Sequence, residues 1–287
     1  LSENVQKKLV EKLIAMVESG GTLPWQKPWD VEGHRNLVSK KAYRGFNAML
    51  LPFVADSMGW KSSWWLSYKQ AKSLGGQVRK GESGTPVAFY KPFKVEEKVD
   101  GEIKESFRYV LRYYIIFNAD QVDGIEKKIP AKTERVVDSV ESAEKIIADY
   151  PASPKVEFGC NAAYYMQKDD LVGMPEKNSF HGTSEYYATF FHELVHSTGH
   201  ENRLARKTLT DYDGFGGNNY SKEELVAEIG ATMLCSKAGI EPPIDNSAAY
   251  LAGWLKKIKE DSGLLIWAAA QAQKACDHVN NVSWEAK

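Results

Sequence analysis

The chain has 287 residues with 37 Lys and Arg against 38 Asp and Glu, a formal charge of -1, so a uniformly basic nucleic-acid binder is excluded. With 43% hydrophobic and 11% aromatic residues it can bury a sizeable core, as one large domain or two of ordinary size. Cys160, Cys235 and Cys276 are widely spaced and odd in number, which argues against a disulfide framework and for a reducing compartment. No run approaches the roughly 18 apolar residues of a membrane span, and the opening Leu1-Ser2-Glu3-Asn4 lacks the pattern of a signal peptide. The expectation is a cytoplasmic protein with no membrane partner.

In chain order, Ser2 is placed to cap a first helix with Val5, Leu9, Leu13, Met16 and Val17 at helical spacing, ended by Gly20-Gly21. A second, short helix is expected from Ser67 to Leu74. Residues Thr85 to Val95 and Phe107 to Phe117 are rich in aromatic and β-branched types and read as strands, with Asp100-Gly101 between them as a hairpin signal. The polar stretch 124–133 contains one proline and reads as a linker. Beyond it the pattern predicts a helix from about Asp138 to Asp149, strands at Lys155–Phe158 and Ala162–Gln167, and then mostly helices. The fold class is α+β in two domains: an α+β unit over residues 1–125, a linker over 126–133, and a mostly helical unit with a small sheet over 134–287.

Charge divides the same way. Residues 1–125 hold 19 basic against 14 acidic side chains, a balance of +5, which leaves 18 against 24, or -6, for the rest. Between Gly33 and Val95 eleven basic residues face only Asp56 and Glu82. Such asymmetry suggests an N-terminal module that meets a polyanion and a C-terminal one with another task.

That task is indicated by His192-Glu193-Leu194-Val195-His196. Thr183 to Thr198 reads as a helix, with Ser184 or Thr183 as its cap and Gly199 just past its end. Histidines four apart project from one face, so two imidazoles can reach one zinc at about 2.0–2.1 Å, while Glu193 is placed to serve as general base on a metal-bound water. A catalytic site needs a third ligand and one open position. Glu224 is the best candidate and Glu228 the substitute; if Glu224 ligates, Glu228 is placed to accept a ligand histidine's other ring N–H. Ser221 and Glu224 are also spaced as a capping box, the purely structural alternative. His200 lies two residues too early for a metzincin third ligand, a position held here by Asn202, so that class is rejected. His181 and His200 read as solvated or substrate-side residues.

Five of the eight tryptophans, Trp25, Trp29, Trp60, Trp64 and Trp65, lie within the first 65 residues among Arg44, Lys61, Lys69, Arg79 and Lys80. Aromatic faces that stack bases, with cations that track phosphates, bind single strands without strong sequence preference. The segment Gly75 to Gly84 adds a basic, glycine-rich loop that lacks the Walker pattern.

The chain resembles the ArdC-type antirestriction family of plasmids. The likeness rests on Pro24-Trp25-Gln26-Lys27-Pro28-Trp29, Tyr43-Arg44-Gly45-Phe46-Asn47, Trp65 through Gln70, Gly75 and Lys80-Gly81 in the first unit. In the second it rests on Asp170-Leu171-Val172-Gly173-Met174-Pro175, Phe191 through His200, and Glu223 through Glu228. The resemblance implies an N-terminal single-stranded DNA-binding domain and a C-terminal SprT-like, zincin-type metallopeptidase domain. It implies protection of incoming plasmid DNA from restriction during conjugation, and it adds Asn47 and Gln70 to Trp25, Trp29, Arg44, Trp64, Trp65, Lys69, Arg79 and Lys80 as DNA-binding candidates. SprT proteases usually have a histidine as third ligand; only glutamates are available here, a gluzincin-like pattern. Zinc is the expected cofactor, with manganese able to replace it in a purified sample. The expected partners are single-stranded DNA and a host restriction enzyme or other DNA-bound protein. The competing expectation is a shielding protein with a structural metal, against which Glu193 and the open position argue.

Overall fold

The computed structural model describes residues 33–99, 102–130, 139–211, 217–242, 248–261 and 263–282, with positions 7, 10, 11, 13–15, 17, 18 and 23 before them; through 90–111 and at 139 and 248–251 only the backbone is described. Among the early positions Val10, Leu13, Ile14 and Val17 are helical and buried, as the apolar periodicity requires. Ser2, Val5, Leu9, Met16 and Gly20-Gly21 lie outside the described residues, as do Trp25, Trp29 and the hairpin turn at Asp100-Gly101.

The N-terminal unit is built on a four-stranded sheet in the order β1-β2-β5-β4, formed by β1 (Arg35–Asn36), β2 (Trp64–Leu66), β4 (Thr85–Val99) and β5 (Glu102–Asn118). Strands β4 and β5 pair antiparallel from Thr85 opposite Ile116 to Val99 opposite Glu102, a longer hairpin than the aromatic runs alone predict. One face of the sheet, carrying Trp65, Val87 and Ile116, is buried against α1 (Phe46–Ser57). Helix α1 starts at Gly45, whose φ of 53° a residue with a side chain adopts only under strain. The opposite face is partly covered by α2 (Tyr68–Ser73), which begins in a capping box between Ser67 and Gln70. Within the expected loop Gly75 to Gly84, residues 79–84 remain turn and loop, and two residues form a strand. Gln77–Val78 forms β3, paired with β6 (Val122–Asp123), because Val78 and Val122 share a small core with Leu37, Leu66 and Ile125. The expected linker begins against that core: Ile125 is fully buried, Glu126–Lys128 is a 3-10 turn and Ile129 packs alongside.

The C-terminal unit opens with α3 (Ser139–Ala148) and a three-stranded sheet, β7 (Lys155–Phe158), β8 (Tyr164–Met166) and β9 (Leu171–Met174), in the order β7-β9-β8. Then follow α4 (Thr183–Ser197), α5 (Lys207–Thr210), α6 (Asn218–Ala238), α7 (Ala248–Glu260) and α8 (Leu264–Val279). Gly230 allows α4 and α6 to meet: a Cβ there would lie 2.8 Å from both methyl carbons of Val195. One hydrophobic cluster runs through both units, joining Phe46, Met49 and Phe53 of α1 to Leu265 and Ala269 of α8. Its rim is polar, where Arg44 pairs with Asp277 and the Gly45 amide donates to Oε1 of Gln273 at 3.0 Å.

Candidate metal centre and nucleic-acid face

Helix α4 starts at Gly182 with no side-chain cap, which corrects the expected Thr183 or Ser184 cap. Its orientation comes from Tyr187, Phe191, Leu194 and Val195, all buried, which leave His192 and Glu193 on the side of a cleft. Nε2 of His192 and Nε2 of His196 are 3.1 Å apart. From α6, Glu224 places Oε2 3.5 Å from the first and Oε1 3.5 Å from the second. Ligands about 2.0–2.1 Å from a tetrahedral metal stand roughly 3.3–3.4 Å from one another, so the donor set fits a divalent ion. Among the described residues these three form the group able to hold one. Helix α6 starts at Gly217, and the Ser221 amide already donates to the Gly217 carbonyl. No capping box therefore forms at Ser221, and Glu224 is available to the cleft.

Burial works to lower the His192 pKa, but the hydrogen bond to Glu224 and the charges of Glu193, Glu224 and Glu228 outweigh it and raise it. Burial likewise opposes ionisation of Glu224, and the two imidazoles overcome it and hold the carboxyl below its usual range. Glu193, almost buried, lines the same cleft of about 600 Å³, whose far wall is Tyr164, Tyr165 and Met166 of the edge strand β8.

The carboxylate behind His196 is Glu223. Its Oε1 lies 3.4 Å from Nδ1 of His196, the bond expected of Glu228. Being ionised, Glu223 can only accept, so the ring carries its proton on Nδ1 and its lone pair on Nε2, facing the other donors. Glu223 is itself held by Arg206, whose Nε donates to Oε2 at 3.0 Å and whose Nη2 donates to Oε1, and by Thr208 at 2.6 Å. Burial alone would favour its neutral form; His196 and Arg206 reverse that and hold it well below the carboxylate range. The same guanidinium donates to Thr198 Oγ1 and to the Val195 carbonyl, in space that Gly199 leaves open. The only local signal for Glu223 was its place beside Glu224. Glu228, one turn beyond Glu224, acts on His192 through its charge.

A second network fixes the cleft wall. Arg203 pairs with Asp170, Tyr165 donates to Asp170 Oδ1 at 2.9 Å, and Arg203 Nε donates to the Ser197 carbonyl at the end of α4. His200 lies outside the donor group, its Nδ1 accepting from the Asn202 amide.

The nucleic-acid candidates separate by burial. Trp65 is fully buried, its Nε1 donating to His34 Nδ1 at 2.6 Å, so it cannot stack a base. Asn47 is buried, and the half-buried Gln70 closes the α2 capping box and bonds Asn36, so both side chains are engaged within the protein. Arg79 is engaged by Glu82, Asp123 and the Asp120 carbonyl, and Arg44 by Asp277. Trp64 stays partly exposed with Lys40 4.8 Å over its ring, and Lys69 and Lys80 are exposed.

Fold and site together define a two-domain α+β protein whose second domain is zincin-like. A family model described as a zincin-like metallopeptidase matches residues 141–271, and one described as the N-terminal domain of anti-restriction factor ArdC matches residues 3–132. The solved antirestriction ArdC protein from the R388 plasmid is 35% identical, over 96% of this chain and 97% of that one, with TM-scores of 0.74 for its metal-free and 0.77 for its Mn(II)-bound structure. The protein y4eC of Sinorhizobium fredii (strain NBRC 101917 / NGR234) is 32% identical, covering 96% of this chain and 91% of its own. The chain belongs to the ArdC antirestriction family. DNA primase TraC of Escherichia coli is 35% identical over 96% of this chain, which spans about a fifth (20%) of that protein's length. Among the described residues no helix is long and apolar enough to cross a membrane.

Proposed function

We propose that the protein binds single-stranded DNA through its N-terminal unit and acts as a metal-dependent peptidase through its C-terminal one. In this reading it protects incoming plasmid DNA in the recipient cytoplasm during conjugation. The observation that carries the peptidase reading is the set His192, His196 and Glu224, at mutual distances of 3.1–3.5 Å, opening beside Glu193 onto a cleft. Bound there, zinc would lower the pKa of a water towards about 7 and polarise a peptide carbonyl. Glu193, on the same cleft, would serve as general base towards such a water and as proton donor to a leaving amine. Among the described residues strand β8 pairs with β9 alone, so its other edge can hold an extended peptide by main-chain hydrogen bonds along the cleft. Arg203 ties Asp170, just before β9, to the Ser197 carbonyl at the end of α4.

The test is Glu193→Ala in the full chain, assayed for zinc content, proteolysis of DNA-bound protein and protection from restriction. Zinc should stay near one equivalent while proteolysis and protection disappear. Protection that persists without proteolysis would replace the peptidase mechanism by shielding of the DNA.

A further inference from the structure

The single-stranded DNA reading leaves open where bases stack, since Trp65 is buried. Resting on that reading, we propose that the stacking platform is the aromatic pair Phe89 and Tyr114 at the base of the β4–β5 hairpin. Phe89 stands directly opposite Arg112 and Tyr114 directly opposite Val87, so all four occupy one face of the hairpin. Val87 is buried in the core, whereas Phe89 is 40% and Tyr114 51% exposed. The two rings pack edge to face with centroids 5.6 Å apart, and Phe89 in turn meets Tyr43 at 6.1 Å. Tyr43 is buried and receives a hydrogen bond from Asn36, so the row of three rings rises out of the core on a fixed base.

The backbone beneath Phe89 is clamped. Asn47 accepts from the Ala88 amide at 2.9 Å and donates to the Ala88 carbonyl at 2.6 Å. Both bonds hold β4 against α1, which makes the platform rigid before any ligand arrives. The buried Asn47 thus supports the platform without touching DNA.

Charge identifies the occupant. Arg112, beside Phe89, and Lys41, two residues from Tyr43, are exposed. Between Gly33 and Val95 the acidic side chains are Asp56 and Glu82, and Glu82 is paired with Arg79. Exposed rings flanked by cations offer a π-face to a base and a countercharge to its phosphate, the combination a single strand requires. A duplex, whose bases are already stacked, gains nothing from the rings.

The experiment uses the full chain, a fluorescein-labelled oligo(dT) and fluorescence anisotropy at low salt. Phe89→Ala and Tyr114→Ala should each weaken binding by about 5- to 150-fold, Tyr114→Phe should bind as the wild type, and a blunt duplex should bind far more weakly. Photo-crosslinking of 5-iodouracil-substituted oligonucleotide to the wild-type protein should mark Tyr114, which covers the case of a variant that does not fold. Unchanged affinity in both alanine variants with crosslinks elsewhere, or equal affinity for the duplex, overturns the platform and leaves DNA binding standing. No binding of oligo(dT) by the wild type overturns both.

Discussion

Nδ1 of His196 lies 3.4 Å from Oε1 of Glu223, while Nε2 of the same ring lies 3.1 Å from Nε2 of His192. One side of the imidazole therefore faces a carboxylate of the protein and the other faces the candidate metal donors. Replacing Glu223 by Gln keeps the volume and removes the charge that fixes the tautomer. Affinity for zinc should fall about 10- to 100-fold by chelator competition, while His192 and Glu224 still bind. Arg206→Ala leaves the Glu223 charge buried without its main partner, and should cost about 3–5 kcal/mol in denaturant unfolding.

Metal analysis separates the two carboxylates of α6. His192→Ala and His196→Ala should lose stoichiometric zinc. Glu224→Gln should lose more metal than Glu228→Gln, since Glu224 meets both Nε2 atoms and Glu228 contributes charge to His192. The opposite order would assign the ligand to Glu228.

Gly230→Ala places a methyl 2.8 Å from both branches of Val195 and should push α6 away from α4. Overpacking of this kind costs about 1–3 kcal/mol. Because Glu224, the proposed third ligand, lies on the displaced helix, zinc affinity should fall with stability. Adding Val195→Ala opens the space again and should restore part of both, read by urea unfolding and zinc competition.

Trp65→Ala should act as a core mutation. It removes a fully buried ring and its hydrogen bond to His34 Nδ1, so unfolding free energy should drop by about 3–5 kcal/mol. Trp64→Ala, at a partly exposed ring, should leave stability within about 1 kcal/mol. Equal stabilities, measured in guanidinium, would place Trp65 outside the core.

Asp170 sets a pH dependence. Burial opposes its ionisation, but Arg203 and Tyr165 outweigh that and hold the carboxyl below its ordinary value. A depressed pKa adds stability that is fully present above the unfolded value of about 3.9 and is lost as pH falls through the folded value. Wild type should therefore exceed Asp170→Asn in melting temperature at pH 7, and the gap should close progressively below about pH 4. A gap independent of pH would show that the charge is not involved.

The sequence by itself determined the features that a few neighbouring residues encode. Helical repeat alone puts His192 and His196 on one face with Glu193 beside them, Ser67 to Leu74 reads as a short helix, and the aromatic runs of β4 and β5 pair as a hairpin. Tertiary structure decided what depends on segments far apart in the chain. Glu223, Glu224 and Glu228 all lie on one helix, and only the approach of α6 to α4 across Gly230 and Val195 selects Glu224 for the donor group and Glu223 for Nδ1 of His196. Burial was decided in the same way. Trp65 and Trp64 are adjacent in sequence, yet strand alternation turns one into the shared core and leaves the other at the surface, while Phe89 and Tyr114 emerge where that core ends. Periodicity is a property of the backbone and can be read locally; which face of an element meets which neighbour depends on the packing of the whole chain.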